Sequence, residues 1–139
     1  MPKPQEKQKP FSFRLDPQTG VPIYRQIIDQ VTGGIAAGAL HEGLQLPTVR
    51  QLAVDLSINP NTVIRAYNEL EIRGVLNTEQ GTGTFIAPPN VTHNETERQR
   101  LLGRFVDEFV SRAGSNGFTL EELTDRLQAV HGVGAKKRR

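Results

Sequence analysis

Between Pro60 and Gly74 of this 139-residue chain, Asn61, Arg65 and Asn68 fall on one side of a helical wheel turned at about 100° per residue, with Thr62 and Ile64 beside them. These side chains suit base and phosphate recognition. An arginine pairs bidentately with guanine, a carboxamide bonds an adenine edge or a phosphate, and an isoleucine packs on a thymine methyl. On an isolated helix the same face would simply be solvated. Arg50 stands earlier, in a first helical turn, placed either for a phosphate or for an ion pair with Asp55. At Gly81-Thr82-Gly83-Thr84 the lack of bulk lets backbone N–H groups approach a phosphate or a minor groove. Those glycines also suit a turn that needs positive φ, and the two roles are compatible. Catalytic chemistry finds no such constellation. His41, His93 and His131 are scattered without metal-ligand spacing, and Gly81-Thr82-Gly83 lacks the strand–loop–helix context of a nucleotide loop. We therefore expect no enzyme activity, no metal and no cofactor.

Around these residues the apolar pattern predicts a mainly α (α+β) domain. Ile23, Ile27, Val31 and Ile35, joined by Tyr24 and Ile28, recur at helical spacing after Pro22 and before Gly38, although Gly33 and Gly34 weaken that first helix. Thr48 to Gln51 reads as a capping box opening a short helix with Leu52, Ala53 and Leu56 on its apolar face. Ser57-Ile58-Asn59 is a tight connection, with Asn59 as N-cap and Pro60 at the first helical position. Val63, Ala66, Tyr67 and Leu70 form the buried side of the third helix. Val75-Leu76 and Thr84-Phe85-Ile86 then read as short strands around a turn-rich Asn77 to Gly83. Helix, short helix, turn, helix and hairpin is the order of a winged helix-turn-helix, in which the second helix of the motif enters the major groove. In that setting the polar face of the third helix is the one offered to DNA.

Pro88 and Pro89 separate this block from a helical tail. Leu101, Leu102, Phe105, Val106, Phe109 and Val110 make a wide stripe ending near Gly114. Thr119 to Glu122 is a second capping box, with Phe118 and Leu123 placed as a hydrophobic staple, and Leu123, Leu127 and Val130 run on to Gly132. So wide a stripe on two short helices needs cover, either helix 1 of the same chain or a second subunit, and we expect dimerisation. Two helices offer little wall, so no large effector cavity is expected and any small-molecule effector is unknown. The expected organisation is a flexible basic arm at 1–14, a DNA-binding block at 15–88, a two-helix dimerisation segment at 89–134 and a basic tail at 135–139. Formal charge divides as +3 over residues 1–14, −3 over 15–90 and +2 over 91–139, which recovers the total of +2. Bulk charge is thus a weak argument for a nucleic-acid partner. No cysteine is present, the N-terminus has no apolar signal region, and no stretch approaches the roughly 20 apolar residues of a membrane helix. These features lead us to expect a cytoplasmic protein with no membrane partner.

The run from Gly43 to Ile86 resembles the DNA-binding domain of the GntR family of regulators. Leu46-Pro47-Thr48-Val49-Arg50, Asn59-Pro60-Asn61-Thr62-Val63, Ala66-Tyr67-Asn68-Glu69-Leu70-Glu71 and Gly81-Thr82-Gly83-Thr84-Phe85 are similar to its signature pieces, in their expected order. The resemblance implies that Arg50, Asn61, Thr62, Arg65, Gly81 and Gly83 contact DNA. Many members carry arginine where this chain has Pro60, and Asn-Pro-Asn-Thr together with the short tail is similar to the YtrA-like subfamily. Such regulators commonly repress neighbouring operons for ABC-type transporters. The expected function is that of a sequence-specific double-stranded-DNA-binding transcriptional repressor, a homodimer on a palindromic operator. The alternative is a winged-helix module for protein interaction or single-stranded RNA, favoured by the negative balance of residues 15–90.

Overall fold

Pro22 opens helix α1, Ile23–Ala36, and its apolar spacing places Ile27, Ile28 and Val31 in the core. A computed structural model describes residues 11–89 and 94–135, which form two units divided after Pro89. In the first unit α1 is followed by strand β1 (Gln45–Leu46), helices α2 (Val49–Leu56) and α3 (Pro60–Ile72), and strands β2 (Leu76–Glu79) and β3 (Gly83–Ile86). The sheet is antiparallel in the order β1-β3-β2, with Leu76 opposite Ile86 and Gln45 opposite Phe85. The core joins α1 to Leu40, Leu46, Leu52, Ala53, Val63, Ala66, Tyr67, Leu70, Leu76 and Ile86. This is a mainly α winged helix followed by C-terminal helices, as the element order predicts.

The caps explain where the helices begin. Thr48 Oγ1 accepts from the Gln51 backbone N–H at 3.0 Å, and Asn59 Oδ1 accepts from that of Asn61 at 2.9 Å. Pro60 follows at the first helical position, where its missing N–H costs nothing. Only half of the expected Thr48 capping box forms, because the Gln51 carboxamide donates forward to Asp55 Oδ1 at 2.7 Å. Ser57 turns the chain between α2 and α3 in the left-handed region, at φ 54°.

Four expectations need correction. Residues 11–14, expected in a flexible arm, lie against the core: Phe11, Phe13 and Leu15 pack on it, the two rings meeting edge to face at 5.0 Å. The buried Gln26 carboxamide fastens the next turn, accepting from the Asp16 N–H at 2.8 Å and donating to the Asp16 and Val21 carbonyls at 2.9 Å each. Ile35, expected on the buried face of α1, is 37% exposed. The hairpin strand runs on from Leu76 to Glu79, leaving a shorter turn, and the two-residue β1 adds a third strand. Gly34 is no mere weakness in α1. A Cβ there would lie 2.9 Å from both Leu40 Cδ1 and Phe11 Cε2, so the bare backbone admits both side chains.

The second unit is a helical hairpin of α4 (Glu95–Ser115) and α5 (Leu120–Ala135). Thr119 and Glu122 form the expected reciprocal cap, each backbone N–H donating to the other's side-chain oxygen at 3.2 Å. Helix α5 continues past Gly132, which does not stop it. Among the described residues no helix is long and apolar enough to cross a membrane.

Candidate nucleic-acid interface

Helix α3 is divided lengthwise. Val63, Ala66, Tyr67 and Leu70 are buried, and Asn61, Arg65 and Asn68 are exposed, with Ile64 at 41% exposure and Thr62 half-buried. The helix is held in place by Tyr67, whose hydroxyl donates to the Pro47 carbonyl at 2.8 Å. Burial pushes this phenol's pKa well above its ordinary value, so it remains a neutral donor. That bond ties the middle of α3 to the segment that leads into α2, fixing one helix of the turn motif against the other.

The negative balance of this unit does not fall on the exposed N-terminal half of α3. From Pro60 to Asn68 the only charged side chain is Arg65. The acids of this helix are Glu69 and Glu71, towards its C-terminus. Glu69 pairs with Arg73 at 3.1 Å, and Glu71 accepts from the Thr78 hydroxyl of β2. Asp29 lies 3.6 Å from Arg25, and Asp55 is taken by Gln51. The Arg50–Asp55 ion pair weighed above is therefore not formed: Arg50, the second residue of α2, is exposed and unpaired among the described residues. The exposed start of α3, with an arginine that has no carboxylate partner among the described residues, has the chemistry to suit phosphate and base edges.

Two contributors were not foreseen. Arg65 does not project freely. Its guanidinium carbon lies 3.7 Å from the centroid of the Tyr24 ring on α1. Gln45 of β1 donates through Nε2 to the Thr82 carbonyl at 3.1 Å and braces the hairpin turn. A Cβ on Gly83 would displace that same carboxamide and its bond to Thr82, and the φ of +137° is what calls for glycine there. Gly81 and Thr82 are exposed at the tip. Neither contact carries a periodic signal, since each joins residues on different elements.

On the C-terminal hairpin, Leu102, Phe105, Val106 and Phe109 are between 47% and 60% exposed and Leu127 is 55% exposed, whereas Leu101, Val110 and Leu123 are half-buried. Phe105, Phe109, Ala113, Phe118 and Leu123, together with the polar Glu108, Arg112 and Asn116, line an open cleft of about 530 Å³. This is more concavity than two helices were expected to provide. Both staple residues, Phe118 and Leu123, line it. Of the three histidines, His41 is exposed beside the Glu42 carbonyl at 3.2 Å; His93 and the side chain of His131 lie outside the described residues. No group of side chains able to hold a metal occurs among the described residues.

The sequence model of the bacterial regulatory proteins of the gntR family matches residues 23–86, from the first residue of α1 to the last of β3. The chain is 33% identical over 127 residues to the HTH-type transcriptional repressor YtrA of Bacillus subtilis, covering 90% of this chain and 98% of that protein. It is 47% identical over 118 residues to the HTH-type transcriptional regulator Rv1152 of Mycobacterium tuberculosis, covering 85% of this chain and 93% of that one. Among solved structures, a transcriptional antiterminator from Listeria monocytogenes EGD-e is similar at a TM-score of 0.67 and 28% identity, over 88% of this chain and 95% of that one.

Proposed function

The chain belongs to the GntR family of bacterial regulatory proteins, and from that premise we propose that it is a sequence-specific transcriptional repressor that binds a palindromic double-stranded DNA operator as a homodimer. The observation that carries this reading is the exposed, acid-free half of α3, with Asn61 and Arg65 outward and the buried half locked through Tyr67. Arg65, Asn61, Asn68 and Ile64 read base edges, with Thr62 at the rim of the same face. Arg50 and the backbone at Gly81, Thr82 and Gly83 hold the duplex by its phosphates or minor groove. Residues 15–88 are the DNA-binding part, and the 89–134 hairpin joins two copies through the stripe containing Phe105 and Phe109. A two-fold protein then meets a two-fold site, with half-sites set a helical turn or a multiple of it apart. Repression is supported by the name of the Bacillus subtilis relative, and a DNA-binding role is consistent with work in the cytoplasm.

The test is selection of duplexes from a random pool by the purified chain, followed by salt titration on the winners. An inverted repeat, bound with discrimination and with affinity falling steeply as salt rises, is the expected result. Equal binding to all duplexes, or preference for single-stranded RNA, would overturn the reading.

A further inference from the structure

Tyr24 is the second residue of α1, half-buried and packed against the core, so its ring is set by the fold. Arg65 of α3 lies over the face of that ring, at 3.7 Å from the guanidinium carbon to the centroid. Arg65 has no carboxylate partner among the described residues. We propose that Tyr24 is a specificity-determining positioning residue, which holds the Arg65 guanidinium ready to read a guanine. The proposal rests on the groove-reading role assigned to α3 above.

The two interactions use different parts of one group. A guanidinium stacked on an aromatic ring gives up its face, whereas its N–H donors lie in the plane and point outward from the edge. Bidentate pairing with guanine O6 and N7 uses that edge, so the stack leaves the pairing donors available. A long arginine held before contact also loses less rotamer freedom on engaging the base, and the saving applies wherever the geometry is right. A displaced or mismatched base does not meet the prepared edge, so the effect enters as selectivity more than as overall affinity. The phenol hydroxyl has no part in this, which separates the ring's role from any phosphate contact by Tyr24.

Two measurements on the full chain test the proposal. In the free protein, ring current should shift the Arg65 side-chain protons upfield in the NMR spectrum. The shift should persist in Tyr24→Phe and vanish in Tyr24→Leu. In binding, the ratio of affinities for the selected operator and for a duplex with one guanine replaced should be kept by Tyr24→Phe. Tyr24→Leu should lower it by roughly three- to tenfold. In an Arg65→Ala background Tyr24→Leu should lower it no further. Absence of the upfield shift in the native chain overturns the proposal without any variant, so a poorly folded Tyr24→Leu does not shield it. Undiminished selectivity in a folded Tyr24→Leu, or loss of selectivity in Tyr24→Phe, also overturns it. If Arg65→Ala changes selectivity and Tyr24→Leu does not, this inference falls while the role of α3 stands. If the native chain prefers no duplex, both fall.

Discussion

At the scale of single residues, the division of α3 into a buried and an exposed side distinguishes two kinds of contact that should respond differently to substitution. Arg65→Ala should cost about 1–3 kcal/mol on the selected operator and relax preference at one base position. Arg50→Ala should weaken all duplexes alike and reduce the slope of log affinity against log salt by about 1. Fluorescence anisotropy across a duplex panel and several salt concentrations reads both. Tyr67→Phe leaves the Pro47 carbonyl without its donor and should lower stability by about 1 kcal/mol in denaturant titration. Because burial raises the Tyr67 pKa, the unfolded chain releases this proton first. Native stability should therefore fall once pH exceeds about 10, and this part of the fall should be absent in Tyr67→Phe. The polar face of α3 was legible from wheel positions alone, because burial of its opposite side dictates it. Tyr24 and Gln45 were not legible: each acts on a residue remote in sequence, Arg65 and Thr82, and pattern within one element carries no trace of such a pairing.

At the scale of elements, capping residues and apolar spacing located the five helices of the described residues, since the signals Thr48, Asn59-Pro60 and Thr119 act on the adjacent backbone. Strands were harder. Gln45–Leu46 is too short to show alternation, and Asn77, Thr78 and Glu79 read as turn formers because all three are exposed in β2. Their strand state comes from pairing with Phe85, Thr84 and Gly83 rather than from propensity. The paired glycines of α1 show how tertiary context reverses a local rule. Gly33→Ala meets no atom within 4 Å and should stabilise the chain by roughly 0.5–1 kcal/mol through helix propensity. Gly34→Ala should destabilise it by about 1–3 kcal/mol, because the added methyl must displace Leu40 and Phe11 together. Thermal melting of the two variants should give shifts of opposite sign.

At the scale of the whole molecule, the chain divides into two compact units, and if the second joins two copies as proposed, a change there should be felt in DNA binding without touching the first. Phe109→Asp, at a side chain 47% exposed in the single chain, should leave the helix content intact and shift sedimentation towards the monomer. Operator affinity should then drop by about tenfold or more, since two half-sites no longer engage as one event. An unchanged sedimentation coefficient would assign the stripe to another use. The strand order β1-β3-β2 also bears on synthesis. The middle strand is the last of the three to be made, so while the chain is emerging from the ribosome both β1 and β2 wait with open edges. The flap proposed to reach for nucleic acid is therefore also the final closure of the domain's own sheet. A nascent chain interrupted before Gly83 contains the sequences of α1, α2 and α3 but not the strand on which both β1 and β2 pair.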